Sequence, residues 1–142
     1  MDRQKNLIQQ EKIIKKYEYM FELRHATPVI YPIKFGFECE EGWYRLIDEI
    51  LYKLNSEDPE KTCRIFQIKE KFGGLKIYLD KYPSNLDSTS ANELMFSYDK
   101  QSYKICEVCG DPGTLCIRSG WYQTLCDKHR LERHGLVTND IP

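Results

Sequence analysis

The chain has 142 residues, of which 41% are hydrophobic, 13% aromatic and 30% charged, a balance that suits one globular domain with an appendage. Lys and Arg total 21 against 22 Asp and Glu, which excludes the net positive field that draws a protein non-specifically onto nucleic acid, while leaving room for a local basic patch. No stretch approaches membrane-spanning length, and MDRQKNLIQQEKIIKKYEYMF has no uninterrupted apolar run to act as a signal core, so the expected location is the cytoplasm, away from membranes.

Lys5 to Leu23 carries a helical pattern, with Leu7, Ile8, Ile14 and Phe21 near one stripe and Lys12, Lys15, Lys16 and Glu18 around the rest. It reads as a solvated amphipathic helix, or as a partner-binding one, because Ile13, Tyr17, Tyr19 and Met20 widen the apolar surface. Thr27-Pro28 ends it, since a residue before proline is pushed out of the α region. VIYPIKFGFE reads as extended, with Pro32 marking an edge. GWYRLIDEILYKLN then places Trp43, Leu46, Ile47, Ile50, Leu51 and Leu54 at helical spacing and is the expected core helix.

TCRIFQIKEKFGGLKIYLD reads as a β-hairpin turning at Gly73-Gly74, with Phe66, Ile68, Phe72, Leu75, Ile77 and Leu79 lining one face. The other face carries Lys69, Lys71, Lys76 and Tyr78. This basic and aromatic surface either holds a phosphate-bearing ligand or protects an edge with solvated lysines. KYPSNLDSTS is a turn-rich linker, and Ser90 with Glu93 forms a capping-box pattern that opens a helix through about Ile105.

That helix delivers the chain to CEVCGDPGTLCIRSGWYQTLCDKHRLERHG, residues 106–135, which holds four of the six cysteines and two of the three histidines. Cys106 and Cys109 form C-x2-C followed by glycine, the form of a zinc knuckle, and Cys126 with His129 forms C-x2-H. Two pairs of soft or borderline ligands match tetrahedral Zn²⁺, and four protein ligands leave no open position for water, which argues for a structural ion. Between the pairs, TLCIRSGWYQTL suits a hairpin turning at Ser119-Gly120, and DKHRLERHG a helix capped at Gly135. Knuckle, hairpin and helix follow in treble-clef order. A redox C-x-x-C would want a preceding strand, and nothing local marks a cysteine nucleophile. Clustered cysteines in a reducing cytosol also argue against disulfides. Cys116 and His134 are spare ligand types, the first expected to pack beside the site and the second to be a polar residue near a helix end. Cys39 and Cys63 are expected to be ordinary packed residues.

The fold class is therefore α+β: an N-terminal helix over 1–26, a mixed helix and antiparallel-hairpin core over 27–104, and a treble-clef-like zinc finger over 105–142. In combination, GWYRLIDEI, IKEKFGGLKIYL, CEVCG and GWYQTLCDKH resemble a group of small proteins encoded in bacteriophage and prophage genomes, marked by the EKFGGL hairpin and the C-terminal finger. The resemblance covers most of the chain after about Phe35. It implies a phage accessory protein in the host cytoplasm, acting in counter-defence or host takeover, and supplies no activity. The finger alone resembles that of the DksA/TraR proteins, which bind RNA polymerase. This chain departs from them in its last ligand, His129, and in a hairpin where they carry a coiled coil.

Three functional readings follow. The first is a zinc-stabilised module that binds a host or phage protein, with Trp43, Tyr44, Trp121 and Tyr122 as aromatic anchors. The second is nucleic-acid binding, through the basic hairpin face if at all, since the finger's Arg118, Lys128, Arg130 and Arg133 are matched by Glu107, Asp111, Asp127, Glu132 and Asp140. The third is sequestration of a nucleotide or other phosphorylated ligand by Lys69, Lys71, Lys76 and Tyr78. An enzyme is the least supported class: the sequence shows no phosphate-binding loop and no serine elbow, although Glu38, Glu40, Glu41 and Glu70 would supply acids.

Overall fold

A computed structural model describes residues 2–26 and 29–135. The expected helix stop at Thr27-Pro28 lies outside the described residues. Helix α1 spans Asp2–Lys16 and ends earlier than the apolar pattern suggests, because Tyr17 leaves helical geometry (φ −123, ψ 41) and a 3-10 segment, Glu18–His25, follows. The kink keeps Ile13, Ile14, Tyr17, Met20 and Phe21 on one buried side, so the period survives the break and conceals it. The residues that widen the apolar surface thus belong to the protein's own core, Ile13, Tyr17 and Met20 buried in it and Tyr19 packed against it. Leu7 and Ile8 do not join them: buried packing starts at Gln10, and both apolar side chains stand exposed on the overhanging first turns.

Pro32–Phe35 forms a further 3-10 turn where extended chain is expected, since proline presets the φ of a first helical position. Only β1, Phe37–Glu38, is strand. Helix α2, Tyr44–Ser56, buries Leu46, Ile47, Ile50, Leu51 and Leu54 along one stripe, as its spacing predicts. Strands β2, Arg64–Lys71, and β3, Gly74–Lys81, form the predicted antiparallel hairpin, and β1 pairs in parallel with β2 (Phe37 with Ile68).

Two details of the hairpin differ from expectation. Lys71 pairs with Gly74, so the two-residue turn is Phe72-Gly73, with φ of 53° and 84°. Phe72 therefore sits exposed at the tip instead of lining the inner face. An irregularity between Ile65 and Gln67 leaves Phe66 without a partner, and this puts Ile65 and Ile68, an odd number of residues apart, on the same buried side.

Helix α3, Ser88–Ser102, starts two residues before the expected Ser90 cap. The cap is Asp87, whose carboxylate accepts the Ser90 amide at 2.7 Å. The helix runs beside β3, where Asp99 pairs with Lys76 and the Leu75 amide donates to the Ser102 hydroxyl at 2.9 Å. A second, two-stranded sheet, β4 (Thr114–Arg118) with β5 (Trp121–Leu125), and helix α4 (Asp127–His134) complete an α+β architecture. Among the described residues no helix is long and apolar enough to cross a membrane.

Candidate metal centre

The first ligand pair is set by a tight turn. The Cys106 amide donates to Asp111 O at 2.7 Å and the Gly110 amide to Cys106 O at 2.9 Å, with Gly110 at φ 85°. Strands β4 and β5 then turn at Ser119-Gly120 (φ 50° and 79°), as predicted, and return the chain to Cys126. Cys126 is the N-cap residue of α4, and His129 lies in the first turn of that helix, which ends at Gly135 in the left-handed conformation.

One ligand atom from each of Cys106, Cys109, Cys126 and His129 falls within 4.8 Å of every other. Cys109 Sγ lies 3.8 Å from Cys126 Sγ, Cys106 Sγ lies 3.6 Å from His129 Nδ1, and Cys126 Sγ lies closer to that nitrogen, at 3.1 Å. A tetrahedral ion bonded to sulfur at about 2.3 Å and to nitrogen at about 2.0–2.1 Å has sulfur–sulfur edges of about 3.8 Å and sulfur–nitrogen edges of about 3.5–3.6 Å, so two of these distances are those of a metal tetrahedron. Burial grades across the set: Cys106 is fully enclosed, Cys126 and His129 are half-buried, and Cys109 faces solvent.

The thiols also disturb one another. Desolvation pushes the Cys109 thiol up to about 12, and the neighbouring Cys106 and Cys126 sulfurs add to the shift against an amide hydrogen bond from Asp111. For Cys126, burial acts upward but is outweighed by the His129 and Lys128 amides and by the other two thiols, so its value falls. The two thiols are thus shifted in opposite directions, and a bound cation would favour the deprotonated form of all three. The donor set and its geometry define a structural Cys3His metal site.

The metal-bearing segment is fastened to the core along a seam for which the sequence holds no local signal. The Gly42 amide donates to Glu107 O at 2.7 Å, and the Trp43 indole Nε1–H donates to Ile105 O at 2.8 Å. The Glu40 amide donates to the buried Glu107 carboxylate at 3.1 Å, and the Arg133 guanidinium grips Glu40 with two bonds of 2.5 and 2.6 Å. Burial pushes the Glu107 carboxyl up to about 7, helped by the negative charges of Glu40 and Glu70 and opposed by the Glu40 amide and Arg133. On the other side, Thr124 Oγ1 donates to Gly73 O at 2.7 Å, and the Phe72 ring meets Tyr122 edge-on at 5.7 Å.

This placement separates the four proposed aromatic anchors. Trp43 and Tyr44 are core residues: Trp43 is spent on the seam, and the Tyr44 hydroxyl accepts from Gln10 Nε2 at 2.7 Å. Trp121, 48% exposed, stacks on the His134 ring with centroids 4.6 Å apart, and Tyr122 is half-buried beside Phe72. His134 lies in the last turn of α4, as expected, and is buried there as the stacking partner of Trp121. Cys116 is buried beside Cys106 and Leu125, outside the ligand set. Lys69, Lys71 and Tyr78 project from the sheet face away from the core, and Lys76 on the same face is engaged by Asp99. Three of the four acids make local contacts: Glu40 clamps Arg133, Glu70 accepts the Gly73 amide at 2.7 Å, and Glu38 accepts from Gln67 Nε2, also at 2.7 Å.

Comparison with protein-family models, with curated proteins and with solved structures finds no match to this chain.

Proposed function

We propose that this chain is a zinc-stabilised accessory protein of phage origin, cytoplasmic in the host, which acts by binding a host or phage protein through a treble-clef-like finger. Zinc suits three thiolates and an imidazole at tetrahedral spacing better than magnesium or calcium, which favour oxygen ligands. Four protein ligands complete the coordination of the ion, so it supports folding and offers no position for a reacting water; the reading is a binder, not an enzyme.

The observation that carries the protein-docking reading is Trp121. Its ring is half-exposed at the tip of β5 yet held by its stack on the buried His134 of α4, whose other end carries the ligands Cys126 and His129. A large aromatic side chain that is both presented and pre-oriented binds at low entropic cost. Counter-defence or host takeover is the role such a contact serves in a phage accessory protein. The test is affinity capture from phage-infected cells with parent and Trp121→Ala baits, followed by mass spectrometry. A partner enriched by the parent should be lost with Trp121→Ala while zinc content, near one ion per chain, and melting temperature are retained. Identical captures by both baits refute the assignment.

A further inference from the structure

We propose that the open face of the β2–β3 hairpin is a binding site for single-stranded nucleic acid. Lys69, Lys71 and Lys76 would take phosphates, and Tyr78 and Phe72 would take bases. This site is separate from Trp121, and the inference does not depend on the protein-docking reading.

The register puts Lys69 directly opposite Lys76, and Gln67 opposite Tyr78, on the face away from the buried Ile68, Leu75 and Ile77. Like charges directly opposed across an antiparallel pair destabilise a sheet. Asp99 answers Lys76, but Lys69 and Lys71 form no ion pair among the described residues. Glu38, beside Lys69 in the parallel register, directs its carboxylate to Gln67. Asp80 lies on the same face beyond Tyr78, farther from the turn, so the uncompensated charge is concentrated toward the turn.

The aromatic rings bracket these cations. Tyr78 is 40% exposed at one end of the row, and Phe72 is 63% exposed at the other, with the Lys71 ammonium 5.8 Å above its ring. At about 3.4 Å per residue, the five steps from Gln67, opposite Tyr78, to Phe72 span about 17 Å, bordered on the β3 side by Asp99 and Tyr103. A row that reads aromatic, cation pair, cation, aromatic matches a chain whose phosphates and planar bases alternate, and it needs unstacked bases, which a duplex does not present. An acidic peptide would answer the lysines but has no use for the two exposed rings.

The test uses the full zinc-loaded chain and fluorescein-labelled twelve-residue oligothymidine and oligouridine, followed by anisotropy from 50 to 200 mM salt. Three phosphate contacts give a slope of log affinity on log salt near −2, a loss of about 20-fold across that range. The Lys69→Ala/Lys71→Ala double variant, which spares Lys76 because Asp99 depends on it, should bind at least about 10-fold more weakly with a slope near −0.7. Tyr78→Ala should weaken binding by about 5-fold or more at an unchanged slope, the signature of a lost base stack. Circular dichroism and zinc content check that each variant is folded. Absence of binding at 50 mM salt, equal affinity for the folded lysine variant, or equal binding of polyglutamate with no effect of Tyr78→Ala each overturns the proposal.

Discussion

Replacing Gly42 by alanine should damage the fold and the metal centre together. A Cβ built at Gly42 lies 2.2 Å from Cys106 O, 2.4 Å from Glu107 O and 2.5 Å from the Glu107 carbonyl carbon. An ordinary C···O contact is about 3.3 Å or longer, so the two chains must part by about 1 Å. All three obstructing atoms are backbone, and no side chain can swing aside. The separation breaks the Gly42 amide bond to Glu107 O and strains the Trp43 indole bond to Ile105 O, leaving a buried N–H without an acceptor. A lost hydrogen bond at about 1 kcal/mol and an orphaned buried donor at about 1–3 kcal/mol give a cost of about 3 kcal/mol. For a chain of this size that is a fall of about 10 °C in melting temperature. Because the displaced carbonyl belongs to the ligand Cys106, zinc affinity should fall in parallel, by at least about 10-fold at 1.4 kcal/mol per decade. Calorimetry and a chromophoric zinc competition measure the two effects. A variant that melts within about 2 °C of the parent and binds zinc equally would show that the seam is not as tight as its distances.

If the site holds zinc as proposed, chelation, or Cys126→Ser, should lower the melting temperature by about 8–16 °C, since an ion held at about 1,000 times its dissociation constant contributes about 4 kcal/mol; an unchanged melt would deny the ion a structural role. Gly73→Val should shift the denaturation midpoint down by on the order of 1–2 kcal/mol, because φ is +84° there and a Cβ would meet Leu115 Cδ1 at 2.4 Å; an unchanged midpoint would mean the turn can rebuild itself without cost. Asp58 is buried, yet the Cys63, Ser84 and Thr62 amides and the Tyr19 hydroxyl outweigh that burial and hold its carboxyl well below the usual range. A depressed folded-state value means stability that is present above the unfolded value of about 4 and lost as pH falls through the folded one, so acid titration of the melt should show a destabilising step below pH 4 that Asp58→Ala, itself costing about 3 kcal/mol, no longer shows.

What the sequence makes legible here is what is local. The stripe of α2 follows from the helical period, the Ser119-Gly120 turn from residues that tolerate positive φ, and the four ligands from two short spacings. Phe72-Gly73 shows where local reading fails. Two adjacent glycines look like the two central residues of a turn, yet Gly74 is drawn into the ladder opposite Lys71, and a phenylalanine takes φ 53°. The strain at Phe72 is offset by its edge-on contact with Tyr122, fifty residues away in the chain. The same distance hides the fate of Trp43 and Tyr44, since a ring that fills a core and a ring that anchors an interface are the same residue type. Asp87 in place of Ser90 is a smaller case: both are good caps, and only the position of the packed face of α3 chooses between them.

The metal-bearing segment explains why the seam is so densely bonded. From Cys106 to Gly135 its own buried apolar cluster is Cys106, Cys116 and Leu125, with Val108 and Cys126 packed against it. So short a piece, well under about 40 residues, cannot hold a fold by apolar burial alone and needs an ion or a neighbour. Here it has both. A bound ion would close one end, where Cys106 and Cys109 meet α4, and the core closes the other, through Gly42, Trp43, Glu40 and Gly73. The dependence runs in the opposite direction as well. Trp43 donates its indole N–H to a carbonyl of the residue preceding the first ligand, and the hairpin tip at Phe72 rests on Tyr122. Loss of the ion therefore leaves polar and aromatic groups of the core unpartnered, so the finger and the core should unfold as one cooperative unit and not as two modules joined by a linker.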